Sequence, residues 1–185
     1  MKSVPFIERA EFWKFQSAAI SFEMVRDVCD YLLQNQLSKS HPIHDPLVTA
    51  IYTLYGRPFK QRAPLRLSED IVPERYRPIH FGLITFRDKM FAHTDIDSPK
   101  TVDGYALNEL AGFTRNAQTR FGITIVTPIL PSVRDLCIEL YGHVHSKANV
   151  IWRKHMPKER VSDGTTIVNL SVKDGPFLVP HPVLA

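Results

Sequence analysis

Pro73-Glu-Arg-Tyr-Arg-Pro-Ile-His-Phe-Gly-Leu-Ile-Thr-Phe-Arg-Asp-Lys-Met-Phe-Ala-His-Thr-Asp95 is the stretch on which the fold and chemistry of this chain turn. Its prolines suit the opening of a helix, where a missing N–H is not needed. Ile79, Leu83, Phe86 and Met90 then recur at steps of four, three and four. That is the period of a helix with one buried face. Toward its end the same helix carries Arg87, Asp88 and His93. An arginine keeps its charge at any physiological pH and grips phosphate oxygens bidentately. A histidine gives and takes protons near neutrality. A site that cleaves a phosphodiester needs both capacities.

Six residues at 100° each place Arg87 and His93 about a third of a turn apart on a regular helix. His93 falls seven residues after Phe86 and starts on the buried side, with Arg87 at the edge of the apolar stripe. The pair is therefore expected at a seam between helices. His80, on the same helix, is near enough to approach the motif, but nothing in the sequence fixes it.

Upstream, the first 38 residues read as helix, with Pro5 in the first turn and a bend or second start near Ser17. Ile20, Met24, Val28, Tyr31 and Leu32 form its expected core stripe. In the break that follows, Asp45 is placed to cap a helix from Leu47 to Tyr55, with Pro46 at its first position and Gly56 as its end. His41 and His44 read as parts of a solvated turn. Gly56 to Arg66 holds Arg57, Lys60, Arg62 and Arg66 with no acidic residue. It reads as a solvated basic loop or as a phosphate-contacting one.

Downstream, residues 105–126 change period. Phe121, Ile123 and Ile125 alternate with smaller or β-branched residues, which predicts a two-stranded hairpin leaning on the helices, or a short helix at Ala106 to Phe113 in place of its first strand. Ser132 is expected to cap a last helix that reaches about Lys154, with Val133, Leu136, Cys137, Leu140, Tyr141, Val144 and Ala148 at helical spacing. A strand-like run, Thr165 to Val172, lies in a proline-rich tail. The expected division is a helical domain over 1–156, with the hairpin inserted at about 105–126, and a tail over 157–185.

The chain has 185 residues, 44% hydrophobic and 23% charged, the balance of an ordinary globular protein. No apolar run approaches the roughly 18 residues that cross a bilayer. The opening segment mixes Lys2, Glu8, Arg9, Glu11 and Lys14 into its apolar residues and does not read as a signal peptide. The two cysteines, Cys29 and Cys137, sit in apolar helical patterns and read as buried thiols of a reducing cytoplasm. A net charge of +4 suits an anionic partner without requiring one.

At the motif the chain resembles a known family. Arg87, the polar Asp88 beside it, and His93 after five intervening residues resemble the signature of HEPN-domain proteins. The longer string from Leu83 to Asp95 looks like the form found in HEPN-like proteins of abortive-infection systems. The resemblance spans roughly Phe6 to Lys154. It implies a mainly α, HEPN-like helical bundle with a small β addition. It further implies a metal-independent, cofactor-free endoribonuclease, a toxin or phage-defence effector. Two copies would face each other through the motif helix and build one composite cleft. Carried over by position, His93 is the general base or acid, Arg87 orients the phosphate, and Asp88 orders the site by bonding to His93 or to Arg87 of a second copy. The implied partners are RNA, a second copy of the chain and an antitoxin or regulatory protein. Toxins modified by a nucleotidyltransferase antitoxin carry a tyrosine two residues after the histidine. Asp95 stands there in this chain, so that regulation is not implied.

Two other functions compete: a non-catalytic module that binds RNA or protein through the same residues, and a structural helical protein in which the motif pairs internally. Elsewhere, His143 and His145 lie 200° apart on a helix, a poor start for a shared metal even with His155 ten residues on. Trp152, among Lys147, Arg153, Lys154, Lys158 and Arg160, is a candidate for base stacking or for the snorkelling end of an amphipathic helix. No glycine-rich phosphate loop, dinucleotide fingerprint or nucleophile elbow occurs.

Overall fold

The computed structural model describes residues 4–91 and 127–155, and the backbone of short strand segments at 101–102, 105–106, 110–115, 118–123, 166–168 and 178–180. Side chains are described as far as Asp88 and again from Thr127 to His155. Within these limits the protein is mainly helical. Four α-helices make up the described part: α1 (Phe6–Gln34), α2 (His44–Lys60), α3 (Arg77–Phe91) and α4 (Leu130–His155). In the strand segments, Leu110–Arg115 pairs antiparallel with Gln118–Ile123. The side chains of the expected hairpin and of the tail lie outside the described residues.

α1 and α4 run antiparallel as the long pair. Arg134, early in α4, lies 3.6 Å from Asp30, late in α1. At the other end Lys154 Nζ donates to Glu8 Oε1 at 2.8 Å, and His155 reaches the second oxygen of the same carboxylate. Phe22, Val25 and Cys29 of α1 meet Val133, Leu136, Cys137 and Leu140 of α4 in one core. Val48, Ile51, Tyr55 and Phe59 of α2 and Leu83 and Phe86 of α3 complete it. A smaller cluster of Val4, Phe12 and Ala148 closes the end, with Trp152 stacked on Phe12 at 5.8 Å. Trp152 thus packs half-buried onto the α1–α4 end.

Several sequence expectations need correction. α1 is one helix without a break at Ser17, whose hydroxyl donates to the Lys14 carbonyl at 3.3 Å. Its core face is Ala18, Ala19, Phe22, Val25, Cys29 and Leu32. Of the expected stripe, Ile20, Met24 and Tyr31 are exposed by 45, 46 and 46%. α1 is apolar on two sides, and spacing alone selected the outer one.

α2 begins at His44 behind Ile43, with no side-chain cap. Asp45 pairs instead with His44 Nδ1 at 2.9 Å, and His44 is buried. The helix passes through Gly56 and Pro58 to Lys60. A helical glycine costs only about 1 kcal/mol relative to alanine, and Pro58 stands in the last turn. The Pro58 carbonyl, left without a helical partner because α2 ends at Lys60, accepts from Leu67 N at 2.9 Å and turns the chain back onto the core. α4 starts at Leu130, ahead of Ser132, with Pro131 tolerated in its first turn.

Burial raises the Cys29 thiol to about 12 and raises Cys137 as well. A thiol reagent at pH 8 is therefore expected to leave both native thiols untouched and to titrate both in guanidinium. Rapid labelling of either in the folded protein would contradict this core.

Candidate functional site

α3 is preceded by two short 3-10 turns, Glu69–Ile71 and Glu74–Tyr76. Ser68 caps the first by accepting from Asp70 N at 3.3 Å. Arg75 of the second pairs with Glu139 of α4. These ties set the start of α3, and its apolar side does the rest. Leu83 and Phe86 are buried, and the Phe86 ring stacks on Tyr52 of α2 at 4.7 Å. Such a pair contributes about 0.5–1.5 kcal/mol beyond the area it buries.

With Phe86 locked, Arg87 must emerge along the α2–α3 seam. It does so over Gly56. A Cβ on Gly56 would lie 3.2 Å from both Cγ and Cδ of Arg87, so the missing side chain is the room the arginine uses. Arg87 Nη1 donates to Asp88 Oδ1 at 2.9 Å. Lys60 Nζ, from the last turn of α2, lies 2.6 Å from Asp88 Oδ2. The three side chains are roughly 30% exposed, at 29, 34 and 27% for Arg87, Asp88 and Lys60. Two partly exposed cations thus flank one carboxylate at the α2–α3 seam. Burial alone would raise the Asp88 carboxyl, but the hydrogen bonds from Lys60 and Arg87 outweigh it and hold the group below its ordinary value.

His80 lies seven residues before Arg87, which on a helix is the same face two turns back, about 10 Å away. It is buried against α2. Tyr55 Oη and His80 Nδ1 are 2.8 Å apart, and the imidazole stands edge-on to Phe59 at 4.7 Å. Its Nε2 faces Glu69 Oε2 at 3.7 Å, an ion-pair distance too long for a hydrogen bond. Burial lowers the His80 pKa; Glu69 pulls it back up, and Lys60 and Arg77 push it down.

The sequence thus placed Arg87 and Asp88 correctly on one helix, and the fold joins them to Lys60, whose basic run was noticed but not its partner. The Tyr55–His80–Glu69 group was missed. Its only signal was a histidine two helical turns from Arg87, and that says nothing of Tyr55. His93 lies outside the described residues. His145 stacks on Tyr141 at 5.1 Å, and among the described residues no group of three His, Cys, Asp or Glu could hold a metal. Nor is any helix of the described residues long and apolar enough to cross a membrane.

Comparison with protein-family models, with curated proteins and with solved structures gives no match.

Two outcomes follow from this geometry. Asp88→Asn releases both cations; because all three groups are partly solvated, thermal unfolding should register a loss of only about 0.5–1 kcal/mol. His80 has a lowered pKa when folded, so the unfolded chain binds its proton first as pH falls. Stability should drop as pH descends through the ordinary histidine value of about 6.5. Chemical denaturation between pH 8 and 5 should show His80→Phe with a flatter profile than the unsubstituted protein; an unchanged slope would mean His80 is not held neutral.

Proposed function

We propose that the protein is an endoribonuclease of HEPN type, acting without metal or cofactor on RNA at a cleft shared by two copies. A small β addition at about 105–126 and a tail from 157 belong to the same reading of the fold. The observation that carries it is the Arg87–Asp88–Lys60 cluster, seated in a half-open seam by a glycine that makes room for the arginine. Asp88 occupies one terminal nitrogen of Arg87, and the guanidinium fork has further donors for phosphate oxygens. Lys60 adds a second positive charge beside it.

In this mechanism the RNA 2′-hydroxyl attacks the adjacent phosphorus. His93 of one copy takes the hydroxyl proton as the new P–O bond forms, the P–O5′ bond breaks, and the protonated His93 of the second copy gives its proton to the departing oxygen. A cyclic phosphate remains. Arg87 orients the phosphate and faces the charge that grows on its oxygens. Asp88 acts as a positioning residue for Arg87 within its own protomer, a nearer partner than the second copy considered from sequence. A role as toxin or phage-defence effector, held by an antitoxin or regulatory protein in the cytoplasm, fits this chemistry.

A second reading, a non-catalytic RNA- or protein-binding module, draws on the same cluster, since Arg87 and Lys60 can hold a phosphate without any proton being moved. One experiment separates the two. Labelled structured and single-stranded RNAs are incubated with the protein in the presence of a chelator. The nuclease reading expects cleavage that falls at least about 100-fold in Arg87→Ala and in His93→Ala. Cleavage persisting in both variants would exclude this mechanism. Intact RNA bound with a steep salt dependence would select the binding module.

A further inference from the structure

The outer side of α1 has no role in the site described above. Phe6, Trp13, Ile20, Met24 and Tyr31 are exposed by 51, 37, 45, 46 and 46%. At 100° per residue, all five fall within about 20° of one line down the helix, a line about 37 Å long. A lone exposed apolar side chain is ordinary, whereas a continuous row along a whole helix marks a contact surface. We propose that this row is a self-association face on which α1 of a second copy lies antiparallel about a two-fold axis.

Size, pattern and charge select that occupant. Taking 150–250 Å² for a whole aromatic side chain, the exposed parts of the five residues amount to roughly 450 Å² per protomer. Flanking residues on a helix of 29 residues bring the contact toward the roughly 800 Å² per partner of a standard interface. The row is also complementary to itself. With the axis between Ala18 and Ala19, Phe6 faces Tyr31 of the second copy, Trp13 faces Met24, and the two Ile20 side chains straddle the axis.

Charge fixes the direction. Asp27 stands close to the same line, with its side chain 61% exposed. A parallel pair would press the two Asp27 carboxylates together. The antiparallel pair sets Ala10 opposite Asp27 and parts the two carboxylates by about 25 Å. Each keeps its own Arg26, whose Nη2 lies 2.7 Å from Asp27 Oδ1. The exposed charge nearest the row is Asp27, the wrong sign for an anionic lipid surface.

This face is on α1, while Arg87 and Asp88 lie between α2 and α3. If only the α1 face closes, the assembly is a dimer; if the motif helices also pair, two isologous faces close as a tetramer. Either way, charges on the α1 row should halve the mass. The test is sedimentation of the full chain from about 1 to 100 µM, comparing it with Ile20→Glu/Met24→Glu. Because both positions are exposed, far-UV circular dichroism and melting temperature should stay unchanged while the mass halves. For the register, Phe6→Cys/Tyr31→Cys should cross-link through a short bismaleimide and Phe6→Cys alone should not, the native thiols being buried. A protein that stays monomeric at 100 µM, a mass indifferent to the two glutamates, cross-linking by Phe6→Cys alone, or binding to anionic vesicles in place of self-association would each overturn the proposal. RNA cleavage is not the readout, so failure here leaves the role of Arg87 standing.

Discussion

The ring of Phe86 stacked on Tyr52 is the constraint from which the candidate site follows. It fixes the rotation of α3 against α2. Once Phe86 points inward, the next residue on the helix can only run along the seam, and a long cation there needs space. Gly56 supplies it. The Arg87–Asp88–Lys60 cluster is thus a consequence of core packing and of one absent side chain. It is partly exposed, so its electrostatics add little to stability. Its two cations are partly exposed, within reach of an anion from solvent.

The same packing explains the histidine two turns earlier. α3 turns one face to α2, and that face carries both His80 and Arg87. Deep in the seam the imidazole is confined by Tyr55 and Phe59 and held neutral by burial. Nearer the surface the guanidinium donates to Asp88. Lys60 touches both regions: it bonds Asp88 and its charge opposes protonation of His80. The seam is therefore graded, neutral and aromatic inside, ionic and open outside.

The sequence made the helices legible wherever one apolar period dominated. Leu83 and Phe86 read directly as the buried side of α3, and Leu136, Cys137 and Leu140 as that of α4. It misled where two signals competed. α1 has two apolar faces, and Ile20, Met24 and Tyr31 give the cleaner spacing although Phe22, Val25 and Cys29 are the buried set. Gly56 looks like a stop, yet the helix runs on to Lys60, where Tyr55 and Phe59 are buried in the core and Pro58 falls in the last turn. The motif residues Arg87 and Asp88 were visible as a pattern of types. Their link to Lys60 was not, because it depends on how α2 crosses α3, which no local period records.

The central claim is that Arg87 serves a transesterification of RNA at this seam. It is tested most directly by the chemistry of the cut ends. An RNA oligonucleotide incubated with the protein in chelator should yield a 5′ fragment ending in a 2′,3′-cyclic phosphate, and a 2′-deoxy sugar at the scissile nucleotide should block the cut. Fragments ending in a 3′-hydroxyl, or cleavage indifferent to the missing 2′-hydroxyl, would contradict it.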